Sequence, residues 1–321
     1  MISHILVPLD GSPLAECVFP HVLAIAQAVD ARITLLHVLE RPRETGELPT
    51  DPLHWHLKKN AIKVYLDQIT ARLQDTNLKV TNTILDGVPA ERIIEHANAN
   101  NVDLIALSTH GHSGLSGWNV SSVVQKIILR AYKSTLLVRA YKTPTSEIDT
   151  VYAYKRLFVG LDCSARAEMV LPVAISLSQF YQAKLTLAVV VRNPELLHRF
   201  PPSDEDQGLV KRISYRNQQA AEHYFKQLSS QLSLQGINVK TRLIASDHVI
   251  ATLYDMVDQE KADLVMLVAH GHSAQDRWPY GTVAASFISF GNTDLMIMQD
   301  FSSNEIRQTQ AEMAARETKG H

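Results

Sequence analysis

One sequence pattern occurs twice in the 321 residues of this chain. Val102–Trp118 reads VDLIALSTHGHSGLSGW and Ala262–Trp278 reads ADLVMLVAHGHSAQDRW, and the two align residue by residue. Further pairs of segments repeat in the same order: Ile5–Ser12 (ILVPLDGS) with Leu157–Ser164 (LFVGLDCS), and Ala31–Val38 (ARITLLHV) with Ala183–Val190 (AKLTLAVV). A duplication of this extent predicts two copies of one domain, and the chain is long enough to give each copy its own core.

Each copy consists of short apolar runs that alternate with stretches of helical periodicity. In the first half the runs are Ile5–Leu9, Ile33–Val38, Val80–Leu85, Val102–Leu107 and Thr135–Val138. Continuous apolar runs are typical of buried parallel strands, and right-handed crossovers place the intervening helices on both faces of the sheet. The sequence therefore predicts an α/β fold of two Rossmann-like domains, each a five-stranded parallel sheet of order 3-2-1-4-5 with helices on both faces.

Domain and helix boundaries follow from the same patterns. We expect the domains at residues 1–142 and 153–300, with a polar connector between them and a polar tail at residues 301–321. Helical spacing predicts single helices over Leu14–Ala28 and Ala165–Tyr181, and a long helix over Leu209–Leu234. Segments rich in proline and charge, such as Arg41–Thr50 and Asn193–Gln207, are typical of exposed loops.

The stretch between the fourth strand and the next helix has the composition of an anion-binding loop. Gly111, Gly114 and Gly117 let the backbone approach a ligand closely, and Ser121 and Ser122 lie where the helix should begin. Free N–H groups and the helix dipole both favour negative charge at such a helix start. Phosphate is therefore the ligand that this loop favours.

Asp10 and Asp162 end the first strand of the two halves. In an open parallel sheet, ligands bind beyond the carboxyl ends of the strands where the strand order reverses, here between the first and fourth strands. We therefore expect both carboxylates to face the glycine-rich loops, where they could accept a hydrogen bond from a sugar hydroxyl or an adenine amine. The alternative is that each aspartate only caps the helix that follows it.

Composition restricts the class of protein. The net charge of −2 gives no electrostatic case for binding nucleic acid or an acidic membrane surface. Cys17 and Cys163 are the only cysteines and lack companions at metal or redox spacing, which favours a reducing compartment. No apolar run reaches membrane-spanning length, and the start MISHILVPLD lacks the features of a signal peptide, so we expect a cytoplasmic protein.

A His-Gly-His motif occurs in both loops, as His110-Gly111-His112 and His270-Gly271-His272. Histidine pairs can bind a metal, but zinc sites need further ligands at readable spacing, and the sequence shows none near either motif. Hydrogen bonding beside a phosphate and packing within the loop are the alternatives that we favour. The chain also lacks the G-x-x-x-x-G-K-[ST] motif of a P-loop ATPase, so hydrolysis should be slow.

Together these features resemble the universal stress protein family in its tandem form, over nearly the whole chain. The ATP-binding pattern of that family is Gly, two residues, Gly, nine residues, and then Gly followed by Ser or Thr. It falls on Ser108, Gly111, Ser121 and Ser122 in the first half, and on Val268, Gly271, Gly281 and Thr282 in the second. Val268 should add bulk where members of the family pack the nucleotide. Ser121 should hinder phosphate approach if its φ must be positive, but as a helix N-cap it would supply an additional donor.

The resemblance implies an ATP site in at least one half, with Mg²⁺ carried by the nucleotide. The candidate nucleotide-binding residues are Pro8, Leu9, Asp10, Val38, Ser108, His110, Gly111, His112, Gly114, Ser121, Ser122 and Val123 in the first half, and Leu161, Asp162, Val190, Val268, His270, Gly271, His272, Gly281, Thr282 and Val283 in the second. It also implies that the halves pair along their last strands as an internal pseudo-dimer, with a homodimer as a further option.

The implied function is that of a stress-response sensor or regulator, at most a weak ATPase. The alternative is an interaction module that binds no nucleotide and instead binds a partner or another small ligand during stress.

Overall fold

The computed structural model describes residues 2–40, 52–111, 120–140, 151–194, 203–271 and 279–301. The elements of the first half are β1 (His4–Leu9), α1 (Pro13–Glu16), α2 (Phe19–Val29), β2 (Arg32–Leu39), α3 (Pro52–Arg72), a 3₁₀ turn (Gln74–Thr76), β3 (Val80–Asp86), α4 (Pro89–Ala99), β4 (Leu104–Ser108), α5 (Ser122–Ala131) and β5 (Ser134–Val138). Those of the second half are β6 (Arg156–Leu161), a 3₁₀ turn (Ala167–Val170), α6 (Leu171–Tyr181), β7 (Lys184–Val191), α7 (Asp204–Leu234), β8 (Val239–Ala245), α8 (Val249–Glu260), β9 (Leu264–Val268), α9 (Thr282–Phe290) and β10 (Asp294–Met298).

Within the described residues the strands form one ten-stranded sheet of order β3-β2-β1-β4-β5-β10-β9-β6-β7-β8. Strands are parallel within each half, and each half has the predicted order 3-2-1-4-5. The predicted fold class is therefore confirmed. The two five-stranded sheets meet where β5 and β10 pair in antiparallel orientation, with Leu136 opposite Met296. This pairing covers two apolar strand edges that would otherwise be exposed.

A hydrophobic core covers each face of the sheet. Side chains alternate along every strand, so that Ile5 and Val7 of β1 lie in one core and Leu6 lies in the other. Helices α2, α3, α6 and α7 contribute to the first core, and α4, α5, α8 and α9 contribute to the second. Because both faces are covered, the strands read in the sequence as continuous apolar runs. None of the helices in the described parts of the chain is both long and apolar enough to cross a membrane.

The first helix of each half is shorter than the sequence predicts. Instead of one helix over Leu14–Ala28, α1 ends at Glu16 and α2 begins at Phe19 with Pro20 in its first turn. In the second half a 3₁₀ turn replaces the start of the predicted helix, and Pro172 lies in the first turn of α6. Proline has no backbone N–H and its ring clashes with the preceding turn, so an uninterrupted helix cannot pass through these positions.

The long helix α7 begins at Asp204 and not at Leu209. Ser203 and Asp206 form a capping box, in which the Ser203 hydroxyl accepts a hydrogen bond from the Asp206 N–H at 3.1 Å. The Asp206 carboxylate accepts in return from the Ser203 N–H at 3.2 Å. Two N–H groups that a helix start leaves unpaired are thereby satisfied, and the helix extends into the predicted loop.

Arg139 of the first half forms hydrogen bonds with the second half. It follows β5, is 0% exposed, and donates hydrogen bonds to the carbonyl oxygens of Phe287 at 2.7 Å, Ile288 at 3.3 Å and Thr293 at 3.3 Å. Its backbone N–H donates to Asp294 Oδ1 at 2.8 Å. Since two of these carbonyls belong to the last turn of α9, the guanidinium also stabilises the negative end of that helix dipole.

Candidate functional site

Asp10 lies at the carboxyl end of β1, directly before the first helix. Its Oδ1 accepts hydrogen bonds from the Ser12 backbone N–H at 2.9 Å and from the Ser12 hydroxyl at 2.6 Å. Ser12 Oγ in turn accepts from the Ala15 N–H at 3.2 Å and caps α1. One carboxylate oxygen of Asp10 therefore orders the turn into the helix, as the capping interpretation predicts.

The other carboxylate oxygen of Asp10 faces the loop after β4. A Cβ atom added to Gly111 would lie 2.1 Å from Asp10 Oδ2, which is closer than any real side chain allows. Only glycine lets the loop backbone approach the carboxylate this closely. The predicted position of Asp10 opposite the loop is thus what the structure shows, and the same residue performs both the capping and the loop contact.

The second half repeats this geometry. Asp162 Oδ1 accepts from the Ser164 N–H at 3.0 Å and from the Ser164 hydroxyl at 2.6 Å. A Cβ atom on Gly271 would lie 2.2 Å from Asp162 Oδ2. Both halves therefore place an aspartate against a glycine at the point where the strand order reverses, which is where open α/β sheets bind ligands.

The starts of α5 and α9 lie beside the same edge. The Ser121 N–H donates to the Thr109 carbonyl at 2.9 Å, and the Gly281 N–H donates to the Ala269 carbonyl at 2.8 Å. Neither helix has an acidic residue in its first turn. The positive end of each helix dipole is therefore available at the edge without a competing carboxylate from the helix itself.

Ser121 fits its position without strain. Its backbone φ is −67° and its ψ is 156°, close to the −70° and 170° of Gly281. The expectation that serine would hinder phosphate approach depended on a positive φ, and the observed φ removes that reason. Ser121 also supplies what glycine cannot, because its hydroxyl accepts a hydrogen bond from the Val124 N–H and caps α5.

Ser108 and Val268 end the fourth strands and are nearly buried, at 7% and 9% exposure. The Ser108 hydroxyl donates to the His110 carbonyl at 2.7 Å and lies 3.4 Å from the Sγ of the buried Cys17. Val268 belongs to the core on the same face as α6. The Val268 side chain therefore packs within this core, and its effect on nucleotide binding stays a prediction.

The other predicted residues surround this edge. Leu9 and Leu161 are buried; Pro8, Val38, Val190 and Val283 are half-buried; Ser122, Val123 and Thr282 are exposed in the first turns of α5 and α9. His112, Gly114 and His272 lie outside the described residues. In the described parts of the chain, no group of three or more His, Cys, Asp or Glu could hold a metal ion.

The two loop histidines have different partners. His110 is 3% exposed and its Nδ1 lies 3.1 Å from the Thr109 hydroxyl. His270 Nδ1 lies 2.8 Å from Asp300 Oδ1, and the ring of Phe301 packs against the imidazole at 4.3 Å between centroids. Neither Asp300 nor Thr109 is among the predicted site residues. Asp300 lies outside every repeated motif, and its contact depends on where the last strand ends.

His37 is a further residue at this edge and is not among the predicted site residues. It lies opposite Leu9 in the pairing of β1 with β2, is 7% exposed, and its Nδ1 has no hydrogen-bond partner among the described residues. Burial lowers the pKa of His37, and the negative charge of Asp10 opposes this shift. In the second half Val189 holds the equivalent position opposite Leu161. The two edges therefore differ in polarity.

The comparison with known families identifies both halves. The sequence profile of the universal stress protein family matches residues 1–139 and again residues 153–298. The chain belongs to the universal stress protein family. Because the profile matches twice, this universal stress protein has the tandem form that the internal repeat predicts.

Relatives of this universal stress protein match it in sequence and in structure. A universal stress protein of Methanocaldococcus jannaschii is 29% identical over 146 residues, which is 44% of this chain and 85% of the relative. The crystal structure of a universal stress protein from Archaeoglobus fulgidus covers 93% of this chain and 98% of its own, with a TM-score of 0.62 at 16% identity. A putative universal stress protein from Pseudomonas aeruginosa covers 98% of both chains, with a TM-score of 0.63 at 13% identity. At these identities the two structures show the fold alone.

Proposed function

We propose that this universal stress protein binds an adenine nucleotide, ATP together with its Mg²⁺, and acts in the cytoplasm as a sensor or regulator of the stress response. The binding units are the domains at residues 1–142 and 153–300. The single observation that carries the proposal is the close approach of Asp10 to Gly111, which Asp162 and Gly271 repeat. It places a carboxylate directly against the loop backbone at the carboxyl edge of the sheet, where the strand order reverses.

The groups at this edge of the sheet suit the parts of a nucleotide. Asp10 and Asp162 are exposed and present carboxylate oxygens, which accept hydrogen bonds from a ribose hydroxyl or an adenine amine. Ser122 and Thr282 begin α5 and α9, where backbone N–H groups and the helix dipole favour phosphate. Mg²⁺ commonly binds through substrate phosphates together with few protein ligands, so we propose that the nucleotide carries the ion.

A regulatory role follows from what the sequence lacks. There is no P-loop lysine in the chain to stabilise the charge that develops during phosphoryl transfer. Binding without rapid turnover lets the protein report nucleotide occupancy, which is what a sensor requires.

The proposal is tested by calorimetric titration of Mg-ATP into the full chain and into the variant Gly111→Ala/Gly271→Ala. Each new Cβ would displace an aspartate carboxylate, so we expect affinity to fall more than tenfold. Gly208→Ala is the matched control, since a Cβ there meets no atom within 4 Å. Unchanged affinity in the double variant would exclude the contacts of Asp10 with Gly111 and of Asp162 with Gly271 from the binding site. A parent protein that binds no nucleotide would favour the interaction module.

A further inference from the structure

A buried carboxylate in the second half lies between two cationic or hydrogen-bonding side chains. Asp300 Oδ2 lies 3.0 Å from Arg166 Nη1, and Asp300 Oδ1 lies 2.8 Å from His270 Nδ1. The Asp300 side chain is 0% exposed. Arg166 and His270 therefore form a pocket for an oxyanion, and the protein fills this pocket with its own carboxylate.

The pocket lies at the proposed nucleotide edge. Arg166 follows β6, His270 follows β9 and Asp300 follows β10, and these strands are neighbours in the order β10-β9-β6. The contact between Arg166 and Asp300 therefore passes over the carboxyl end of β9, where the loop containing Gly271 begins. A phosphate bound at this loop would lie within reach of the same two side chains.

The first half shows that the fold does not need this network. Strand pairing places Ser108 opposite Val138 and Val268 opposite Met298, so Ala140 holds the place of Asp300. Leu14 holds the place of Arg166, because both follow an Asp-x-Ser turn by the same number of residues. His110 Nδ1 lies 3.1 Å from the Thr109 hydroxyl. The charged groups are therefore an addition specific to the second half.

The chemistry of the pocket suits a phosphate group better than a carboxylate. Arginine and imidazole donors bind phosphate oxygens through charge-assisted hydrogen bonds. Asp300 Oδ2 lies 3.0 Å from Arg166 Nη1 but accepts no well-aligned hydrogen bond from a described residue. A tetrahedral phosphate offers more oxygens and more negative charge to the same donors.

We propose that Arg166 and His270 form an oxyanion pocket of the second half, that Asp300 occupies it as an internal ligand, and that a phosphate group is the external ligand that replaces Asp300. The inference rests on the proposed function in placing the phosphate of a nucleotide at this edge. It adds that the second half binds its ligand in competition with the protein's own carboxylate. In the first half Leu14 and Ala140 hold the positions of Arg166 and Asp300.

Replacement of Asp300 would also affect the junction between the halves. The Gln299 N–H donates to the Ser134 hydroxyl of the first half at 3.1 Å, and the ring of Phe301 lies 6.1 Å from that of Tyr132. Phe301 also packs against His270. A phosphate that displaces the carboxylate therefore loosens residues 299–301, which contact both halves, so occupancy of the second site is communicated to the first half.

The test is calorimetric titration of inorganic phosphate into the full chain and into the variant Asp300→Ala. Removing the internal ligand should make phosphate bind at least tenfold more tightly than to the parent protein. The variant Asp300→Ala/Arg166→Leu, which carries the leucine of the first half, should lose that gain. Asp300→Asn keeps the size of the side chain but removes its charge, so its phosphate affinity should also be higher than that of the parent protein. Loss of folding in both single variants would mean that Asp300 is a structural ion-pair partner, and would overturn the proposal.

Glu260→Ala is the matched control for loss of a buried carboxylate. Glu260 pairs with Lys184, Lys240 and Arg242, none of which lies at the nucleotide edge. An equal gain in phosphate affinity in this variant would show an effect of net charge alone and would overturn the inference. A parallel Mg-ATP titration separates the two proposals. If Asp300→Ala binds phosphate more tightly but the protein binds no ATP, the pocket is supported and the proposed function is rejected. If the protein binds ATP but Asp300→Ala has no higher phosphate affinity, the proposed function is supported and the pocket is rejected.

Discussion

His21 Nε2 in α2 lies 3.5 Å from Asp294 Oδ2 at the start of β10. The imidazole is 1% exposed, its Nδ1 lies 3.0 Å from the Tyr154 hydroxyl, and its ring stacks on Tyr152 at 4.4 Å between centroids. A titratable group of the first half is thus buried against a carboxylate of the second half and against the segment that joins them. Burial lowers the pKa of His21, and the charge of Asp294 opposes this shift.

Acid should therefore destabilise the protein. Burial lowers the pKa of His4, His21, His37 and His96 in the folded state, whereas these side chains titrate near pH 6.5 when unfolded. Below that pH the unfolded chain binds more protons than the folded chain, so the free energy of unfolding falls as pH falls. Each histidine contributes a slope of at most about 1.4 kcal/mol per pH unit.

Urea unfolding at pH 7.5 and pH 5.5 measures this dependence. His21→Gln should have a shallower slope than the parent, because one of the contributing histidines is removed. A free energy of unfolding that stays constant or rises on acidification would contradict the prediction.

Replacing Cys163 with glycine should stabilise the protein. Cys163 has φ of +65° at the turn where the first half has Gly11, with φ of +81°. The left-handed conformation is costly for a residue with a Cβ atom, so Cys163→Gly should raise the free energy of unfolding by about 0.5 to 1 kcal/mol. Cys163→Ala keeps the Cβ and serves as the control without gain. A stability of Cys163→Gly below that of Cys163→Ala would show that the thiol has contacts that outweigh the strain.

Arg139→Leu should destabilise the protein by about 3 kcal/mol, because it removes a buried charge and leaves carbonyl oxygens at the end of α9 without their donor. Chemical denaturation measures the change. Arg92→Leu is the control, since Arg92 pairs with Glu95 at the surface, where the two side chains are 40% and 61% exposed. The free energy of unfolding of Arg92→Leu should be lower than that of the parent by less than about 1 kcal/mol. Similar decreases in the free energy of unfolding in the two variants would mean that the contacts of Arg139 do not stabilise the junction between the halves.

The departures from the glycine motif at the helix starts should affect stability and not nucleotide affinity. Ser121→Ala should lower the free energy of unfolding by about 1 kcal/mol, because the hydroxyl caps α5. Ser121→Gly should lower it by only about a few tenths of a kcal/mol. Gly281→Ser should add a cap to α9 and gain a few tenths of a kcal/mol by the same reasoning. Thermal unfolding and Mg-ATP titration of the three variants check both parts. A large change in ATP affinity for Ser121→Gly would mean that the serine contacts the nucleotide directly.

ATP turnover should lie below the roughly 1 s⁻¹ at the low end of typical enzymes, because the chain lacks the lysine and metal-binding hydroxyl of a P-loop. A phosphate-release assay on the parent and on Gly111→Ala/Gly271→Ala, purified in parallel, separates real activity from contamination. Equal rates in both preparations would indicate a contaminant. Turnover of many ATP per second in the parent, lost in the variant, would make this protein an enzyme.

Much of the candidate site could be predicted because it depends on strand order. Asp10 and Gly111 are far apart in the sequence. Asp10 directly follows β1 and Gly111 lies shortly after β4, and these two strands are neighbours in the sheet where the strand order reverses. The roles of Ser121 and Val268 could not be predicted in the same way. Whether a serine is strained depends on its φ, and whether a valine obstructs a ligand depends on which residues surround it.

The sequence by itself determined the duplication, the strands and their parallel arrangement, because a strand covered on both faces must be apolar throughout and because crossover connections have one hand. Three contacts were decided only by the tertiary structure. Asp300 lies between Arg166 and His270, the Arg139 guanidinium donates hydrogen bonds to carbonyl oxygens of α9, and the His21 imidazole lies beside the Asp294 carboxylate. Each of these contacts joins residues that no local pattern relates. Their charges are stable in the interior only because folding brings specific partners within hydrogen-bond distance, and that distance is a property of the packed chain as a whole.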